Sequence, residues 1–346
     1  MRVLFDIVHP AHVHFFKNLH ADLVADGAAA LVIARDKDVT LALLDHYDMP
    51  YTTVGQSGRK GRTGQARELA TRDLAMLRAA RRFRPDVILT RNPAGVQVAR
   101  LLRHAVGVFD TDDGSAAGVH FRAAAPFANV ITTPDCTTED YGRKHRRYPS
   151  YKALAYLHPD RFTPDPKIRA ELGVGSEPYA IVRFVEMVAS HDRAESGMPA
   201  ADKRRVVEEL SRHGRVFVSC EGAMPAEYEA LRFSVPPHLM HDALASAWIC
   251  VGDSQTMAAE AALLGVPALR CSSFVGRLDY LEELEHRYQL LESFLPDASS
   301  RLLERVGELR PDQALAGEWA QRRSRMLEDK VELTGWYRAL VDELAA

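Results

Sequence analysis

The chain has 346 residues, 47% of them hydrophobic and 26% charged, with a formal net charge of -3. That is the profile of a soluble globular protein long enough for two domains, and the slight acidic excess excludes an overall electrostatic pull toward nucleic acid. No apolar run approaches the ~20 residues of a membrane span, and Cys136, Cys220, Cys250 and Cys271 form no Cys-x-x-Cys pair, so reduced thiols in a cytoplasmic protein are expected.

Strands and helices alternate almost from end to end. The first strand begins at Arg2, which is expected to leave no room for a signal peptide. Apolar runs at 3–8, 30–34, 86–90, 105–109 and 129–132 read as buried parallel strands. Helical stretches lie between them near 14–26, 38–47, 64–83, 95–104 and 117–127. Pro85 stops one helix before its strand. Proline-rich residues 143–166 interrupt the pattern, and a linker is expected at 151–166. A second series follows, with strands at 179–184, 215–219, 248–251 and 267–271. Its helices are expected near 200–213, 239–246, 255–264 and 278–287. From Pro311 to Leu344 the pattern is helical, with Gly317 and Gly335 as weak points. The expected domains are 1–150, 167–310 and a helical segment 311–346 that packs back on the first.

Chemistry-bearing residues collect at the expected strand ends. After the first strand, His9-Pro10-Ala11-His12-Val13-His14 places three histidines where a loop enters a helix. They read as acid/base or anion-binding groups, as a His-x-His metal pattern, or as caps and packing. The glycine-rich segment Gln56–Gly64 carries Arg59, Lys60 and Arg62 and would close over an anionic acceptor or rest on an anionic membrane. The arginines that follow it (Arg67, Arg72, Arg78, Arg81, Arg82) read as a solvated helix face, and the run Arg143–Arg147 also reads as solvated. Asp110-Thr111-Asp112-Asp113-Gly114 contains Asp-x-Asp, the spacing that holds a divalent metal in one class of glycosyltransferase. Its acids also suit a general base, a substrate-orienting group or a helix cap.

In the second series Arg183 is placed to neutralise a diphosphate. Ser190, His191 and Asp192, Glu221 and Gly222 are expected to line the same edge, with the stretch Pro236–Asp242 as a wall for a base. The richest segment is Gly252-Asp253-Ser254-Gln255-Thr256, where a strand stops and a helix opens. Such a turn points backbone N–H groups at a phosphate. Glu260, one turn on, is placed for a sugar hydroxyl.

These motifs carry a resemblance. GDSQTMAAEAALLGVP is similar to the donor-site motif of the glycosyltransferase-B architecture. That group includes the muramyl-lipid N-acetylglucosaminyltransferase and the non-hydrolysing UDP-N-acetylglucosamine 2-epimerases. With FDIVHPAHVHFFKNL, ARDKDVTLALLDHY, YLHPDRF, RFVEMVASHD, SCEG and SFVGRLDYLEELE, nearly the whole chain resembles a bacterial and archaeal domain family of that superfamily. The resemblance implies an α/β fold of two tandem Rossmann-like, doubly wound domains facing a cleft, with a sugar nucleotide held mainly by the C-terminal one. Ser254 to Thr256 would hold the diphosphate, Glu260 the ribose, and His12 would lie near the reacting sugar. His9 and Pro10 stand where the transferase has a glycine-rich loop. Arg91-Asn92-Pro93 occupies a strand end where the epimerases place acids.

The expected activity is a glycosyltransferase using a nucleotide-diphosphate sugar, UDP-linked, in glycan or cell-surface polysaccharide synthesis. His12 or Asp112 would be the base and His9 a neighbour. Fixed positive groups stand in for a metal, so no metal or cofactor is required. The acceptor would be anionic or lipid-linked, with peripheral membrane contact allowed. A sugar-nucleotide 2-epimerase and a non-catalytic nucleotide-sugar binding protein are the alternatives.

Overall fold

The apolar runs form the centres of two wholly parallel sheets. A computed structural model describes residues 1–56, 62–185 and 197–346. The first sheet contains β1 (Arg2–Ile7), β2 (Ala29–Asp36), β3 (Tyr51–Gln56), β4 (Val87–Thr90), β5 (Val106–Asp110), β6 (Val130–Pro134) and β7 (His145–Tyr148), in the order β3-β2-β1-β4-β5-β6-β7. The second contains β8 (Tyr179–Phe184), β9 (Arg215–Cys220), β10 (Ile249–Gly252), β11 (Ala268–Cys271) and β12 (Leu291–Phe294), in the order β12-β11-β10-β8-β9. The strand order reverses between β1 and β4 in one sheet and between β8 and β10 in the other. Both sheets are therefore doubly wound, with switch points at those pairs.

Two compact units result, Met1–Arg161 with Val331–Ala346, and Phe162–Lys330. In the first, Val3, Leu4, Phe5 and Ile7 of β1 are completely buried, as a strand covered by helices on both faces requires. Helix Pro10–Ala25 buries Val13, Phe15, Phe16, Leu19 and Leu23 at helical spacing. At about 2 kcal/mol for each such side chain, this face contributes roughly 10 kcal/mol of gross burial. Pro10 occupies the first turn, where its missing N–H leaves no bond unmade.

The stretch expected as a linker is mostly packed. Tyr151 and Ala153 to Leu157 are buried, and the Ala155 carbonyl accepts from Asn18 Nδ2 at 2.7 Å and Thr334 Oγ1 at 3.0 Å. The prolines around it terminate elements without exposing the chain. Ahead of it, the basic run Arg143–Arg147 supplies an edge strand, β7, although Arg143, Arg146 and Arg147 remain exposed.

The C-terminal segment is two helices, Gln313–Asp329 in the second unit and Leu333–Ala345 in the first. Their break falls at Lys330–Glu332, away from both glycines. Glu332 caps the last helix by accepting from Thr334 N and Gly335 N, each at 2.7 Å. No helix of the described residues is long and apolar enough to cross a membrane.

Candidate functional site

At the carboxyl edge of the first sheet, adjacent strand ends each start a helix with a polar cap. His9 Nδ1 accepts from Ala11 N at 3.2 Å, Asn92 Oδ1 from Ala94 N at 3.0 Å, and Asp113 Oδ1 from Ala116 N at 3.0 Å. Asp113 also accepts from Ser115 Oγ at 2.8 Å. Of the three acids Asp110, Asp112 and Asp113 at the end of β5 it is the one spent on a helix cap.

The other two acids of that loop belong to a buried charge network. Arg91, just beyond β4, forks: one nitrogen binds Asp110, and Nη2 binds Asp112 Oδ2 at 2.7 Å. Lys152 Nζ reaches the same Asp112 oxygen at 2.9 Å. Asp110, 2% exposed, also accepts from Tyr337 Oη at 2.6 Å and Thr132 Oγ1 at 3.0 Å. Two cations thus balance two carboxylates, as buried charges require. Burial raises the Asp110 pKa against the pull of Arg91. Burial would also raise Asp112, but Arg91 and Lys152 outweigh it and hold the carboxyl well below the usual range. The Asp-x-Asp acids are therefore bound to protein cations, and Asp112 is a weak proton acceptor.

The histidines beside this network are neutral near pH 7. His12 is half-buried, and its pKa is driven well below 6.5 by desolvation, then by Arg91, His9 and Lys152, with Asp112 opposing. Its Nδ1 lies 3.5 Å from Val8 N, a long bond that marks Nδ1 as acceptor and Nε2 as the proton carrier. His9 as a residue is exposed, yet desolvation around its ring and the charge of Lys37 lower its pKa to about 4, against Asp38.

His14 departs from expectation. It is 7% exposed and packs between Tyr47 and Tyr156, with ring centroids at 5.9 and 5.5 Å. One hundred degrees of helical turn per residue carries it off the loop and into the unit. Arg72 departs as well, since it is 2% exposed and pairs with Asp6 at 2.9 Å, whereas Arg78, Arg81 and Arg82 are exposed as expected. Arg59, Lys60 and His191 lie outside the described residues, as do Ser190 and Asp192. Arg62 begins helix Arg62–Phe83.

The carboxyl edge of the second sheet is built differently. Gly252 ends β10 so close to β8 that a Cβ there would lie 2.0 Å from the Arg183 carbonyl oxygen. Only glycine fits. The chain then turns through Asp253 into helix Gln255–Leu263, and Ser254 Oγ caps it by accepting from Met257 N at 3.4 Å. Thr256 is exposed, and Ser254 and Gln255 are half-buried. The first N–H groups of this helix have no partner within the helix itself.

Asp253 does not face outward. It is 2% exposed, with Oδ1 accepting from Val185 N at 2.6 Å and Oδ2 paired with Lys203 at 2.9 Å. It fixes the turn rather than offering a ligand contact. Glu260, 5% exposed, has Oε1 3.3 Å from His241 Nε2. Arg183, half-buried at the end of β8, donates from Nη1 to Ser219 Oγ at 2.6 Å. Glu221 and Gly222 are exposed just beyond β9, and the φ of 85° at Gly222 is a left-handed conformation suited to glycine.

Sequence reasoning read His241 as part of the 236–242 stretch but assigned no role to Arg91, Lys152, Tyr337 or Lys203. Each is distant in sequence from its partner, and an isolated lysine or tyrosine carries no local signal. Only Arg91 left a trace, standing in an Arg-Asn-Pro turn at a strand end.

No protein-family model matches the chain, and no curated protein matches it in sequence. Solved structures do. The glycosyltransferase SsfS6 of Streptomyces sp. SF2575, complexed with thymidine diphosphate, aligns with a TM-score of 0.62 at 14% identity over 99% of each chain. MnaA of S. aureus with UDP aligns with a TM-score of 0.66 at 9% identity, over 96% of this chain and 93% of that one. A Listeria monocytogenes protein assigned as a UDP-N-acetylglucosamine 2-epimerase aligns at 0.64 and 12% identity, over 93% and 91%. The fold is thus the glycosyltransferase-B architecture of two Rossmann-like domains.

Proposed function

We propose that the chain is a glycosyltransferase that takes a nucleotide-diphosphate sugar, UDP-linked, and that its second unit holds the nucleotide. One observation carries the reading: the Gly252–Thr256 turn, where a backbone crossing open only to glycine feeds the capped start of a nine-residue helix. A diphosphate there would meet oriented N–H groups and the positive end of the helix dipole, worth about 0.5–2 kcal/mol. Arg183 would add charge to the departing diphosphate. A ribose hydroxyl would join His241 on Glu260. Structures of the same fold with thymidine diphosphate and UDP bound support this assignment.

For the acceptor hydroxyl, His12 is the better base of the two considered. Asp112 is held by two cations, whereas His12 is uncharged and its 3.5 Å bond to Val8 N exchanges at little cost. A tautomer shift then exposes a basic nitrogen. The cations that depress His12 would be partly neutralised by an anionic acceptor, which moves its pKa toward working pH. No metal enters the scheme, since Arg183 and the backbone supply the positive charge.

Thermal unfolding with a panel of nucleotides and nucleotide sugars tests the donor assignment. A ligand at 100 times its Kd stabilises by about 2.7 kcal/mol. No shift with any uridine, guanosine or thymidine diphosphate would sink it. With turnover established, His12→Ala should lower kcat by about 10²–10⁴. An unchanged rate would remove His12 from the mechanism, and unchanged rates for His9→Ala and Asp112→Ala as well would mean that turnover rests on none of the three.

The likeness to the Listeria protein keeps a 2-epimerase as the second reading. That reaction removes a proton from sugar C2, and here the acids nearest the histidines are neutralised by Arg91 and Lys152. Incubation with UDP-N-acetylglucosamine and no acceptor separates the two readings: formation of the 2-epimer supports the epimerase.

A further inference from the structure

Over much of the surface, exposed arginines sit beside acids. Arg204 pairs with Glu227, Arg212 with Glu209, Arg232 with Glu229, and Arg287 with Glu283 and Asp329. One region of the first unit breaks this habit. Helices Arg62–Phe83, Pro93–Leu102 and Val119–Ala124 pack side by side. Each is a crossover that ends just before β4, β5 or β6, and those three strands are adjacent and parallel. Neighbouring strands lie about 4.8 Å apart, so the three helix ends gather at the amino edge of the sheet. This edge is opposite the one carrying His9, Arg91 and Asp112.

The gathered ends are strongly basic. Arg78, Arg81, Arg82 and Arg84 close the first helix, Arg100 and Arg103 the second, and Arg122 the third, and all are exposed. None of them forms an ion pair among the described residues. From Pro93 to Asn129 the acids are Asp110, Asp112 and Asp113, all at the far edge. Asp86, at the start of β4, is turned to the Arg2 backbone N–H at 2.8 Å. Among these arginines stand Leu101, 64% exposed, and Phe127, 40% exposed. Cations at helix ends complement the macrodipole, but that accounts for one per helix. It explains neither the cluster of four at one helix end nor a leucine nearly two-thirds in water.

We propose that this amino edge is a docking surface for an anionic lipid bilayer. Phosphate headgroups would meet the arginines while Leu101 and Phe127 enter the interface, a combination that strengthens peripheral binding beyond charge alone. A nucleic acid would occupy the arginines and leave Leu101 in water, so the apolar pair decides for the bilayer. Docking by this edge leaves the opposite, carboxyl edge of the unit free.

Sedimentation of the full chain with vesicles tests this. The chain should bind vesicles in which roughly a third of the phosphatidylcholine is replaced by phosphatidylglycerol, release them in high salt, and ignore pure phosphatidylcholine. Each arginine is worth about fivefold in partition, so R81E/R82E/R100E should lose at least about 100-fold while keeping its melting temperature. L101S/F127S should bind several-fold more weakly at unchanged charge. Three results would overturn the proposal: no preference for anionic vesicles, equal binding by the charge-reversed chain, or binding to RNA or DNA that outcompetes the vesicles. None of these depends on donor binding, so failure here leaves the assignment of the second unit standing.

Discussion

The two carboxyl edges follow opposite electrostatic plans. In the first unit side chains supply the charge: Arg91 and Lys152 against Asp110 and Asp112, with His9 and His12 kept neutral beside them. In the second the backbone supplies it. Two acids there are turned to partners, Asp253 to Lys203 and Glu260 to His241, and beside the constant charge of Arg183 the described residues present a turn and a helix start. Backbone dipoles do not titrate, and side chains do. The second edge therefore offers the same field at any pH, whereas the first can be retuned by a proton or a bound anion. That division suits a protein that holds a constant ligand on one unit and moves protons on the other.

The largest expected effect attacks the first plan. Arg91→Met leaves Asp110 without its cation in a site 2% exposed and should cost about 3–5 kcal/mol in denaturant unfolding. A loss below about 1 kcal/mol would mean that the four charges do not act together. Gly252→Ala attacks the second plan. The added methyl meets the Arg183 carbonyl oxygen, so destabilisation of about 1–3 kcal/mol is expected, together with lost nucleotide-induced stabilisation. Full nucleotide response in that variant would place the ligand elsewhere.

Tyr337→Phe removes the hydroxyl that holds Asp110 at 2.6 Å. A bond to a charged group contributes about 1.5–3 kcal/mol, and calorimetry should find a loss near the lower figure. Because Asp110 holds Arg91, the pH profile of turnover should shift as well, which a purely structural role would not produce. Ser254→Ala should cost no more than about 1 kcal/mol, since its capping bond is long, and its effect on nucleotide affinity should exceed its effect on stability.

The smallest effect is in the pH dependence. His9 and His12 have folded pKa values below the roughly 6.5 of a free imidazole, His9 at about 4. As pH falls, the unfolded chain binds protons that the folded one refuses. Their contribution to stability is present above about pH 6.5 and is lost on descending toward pH 4. His9→Asn keeps a helix cap and deletes one titration, so urea midpoints should fall less steeply over that window. An unchanged slope would show that the exposed ring protonates freely in the folded state.

How much of this was legible depended on where a residue lies. Central strands such as β1, β4 and β8 are buried on both faces and announce themselves as apolar runs. The strands that escaped notice, β3, β7 and β12, all lie at sheet edges. Their sequences YTTVGQ, HRRY and LESF mix polar and apolar residues because one side pairs with nothing. In the candidate site, the Gly252–Thr256 turn was readable since its parts are contiguous, a strand stop followed by a cap. The inward turn of Asp253 was not, because it depends on Lys203, fifty residues away. Nor was the pairing of Asp112 with Arg91 and Lys152, which only the arrangement of β4, β5 and the segment after β7 creates.

The bond between Tyr337 and Asp110 spans 227 residues of sequence. At about 5–20 residues per second, a ribosome needs roughly 10–45 s to make that interval. The second unit, lying entirely within it, can be complete first. Until the last helix emerges, Asp110 and Thr132 wait without the phenol that joins them. The protein therefore finishes its beginning last, and a chain truncated before Leu333 would be expected to lose the order of its first half while its second half folds.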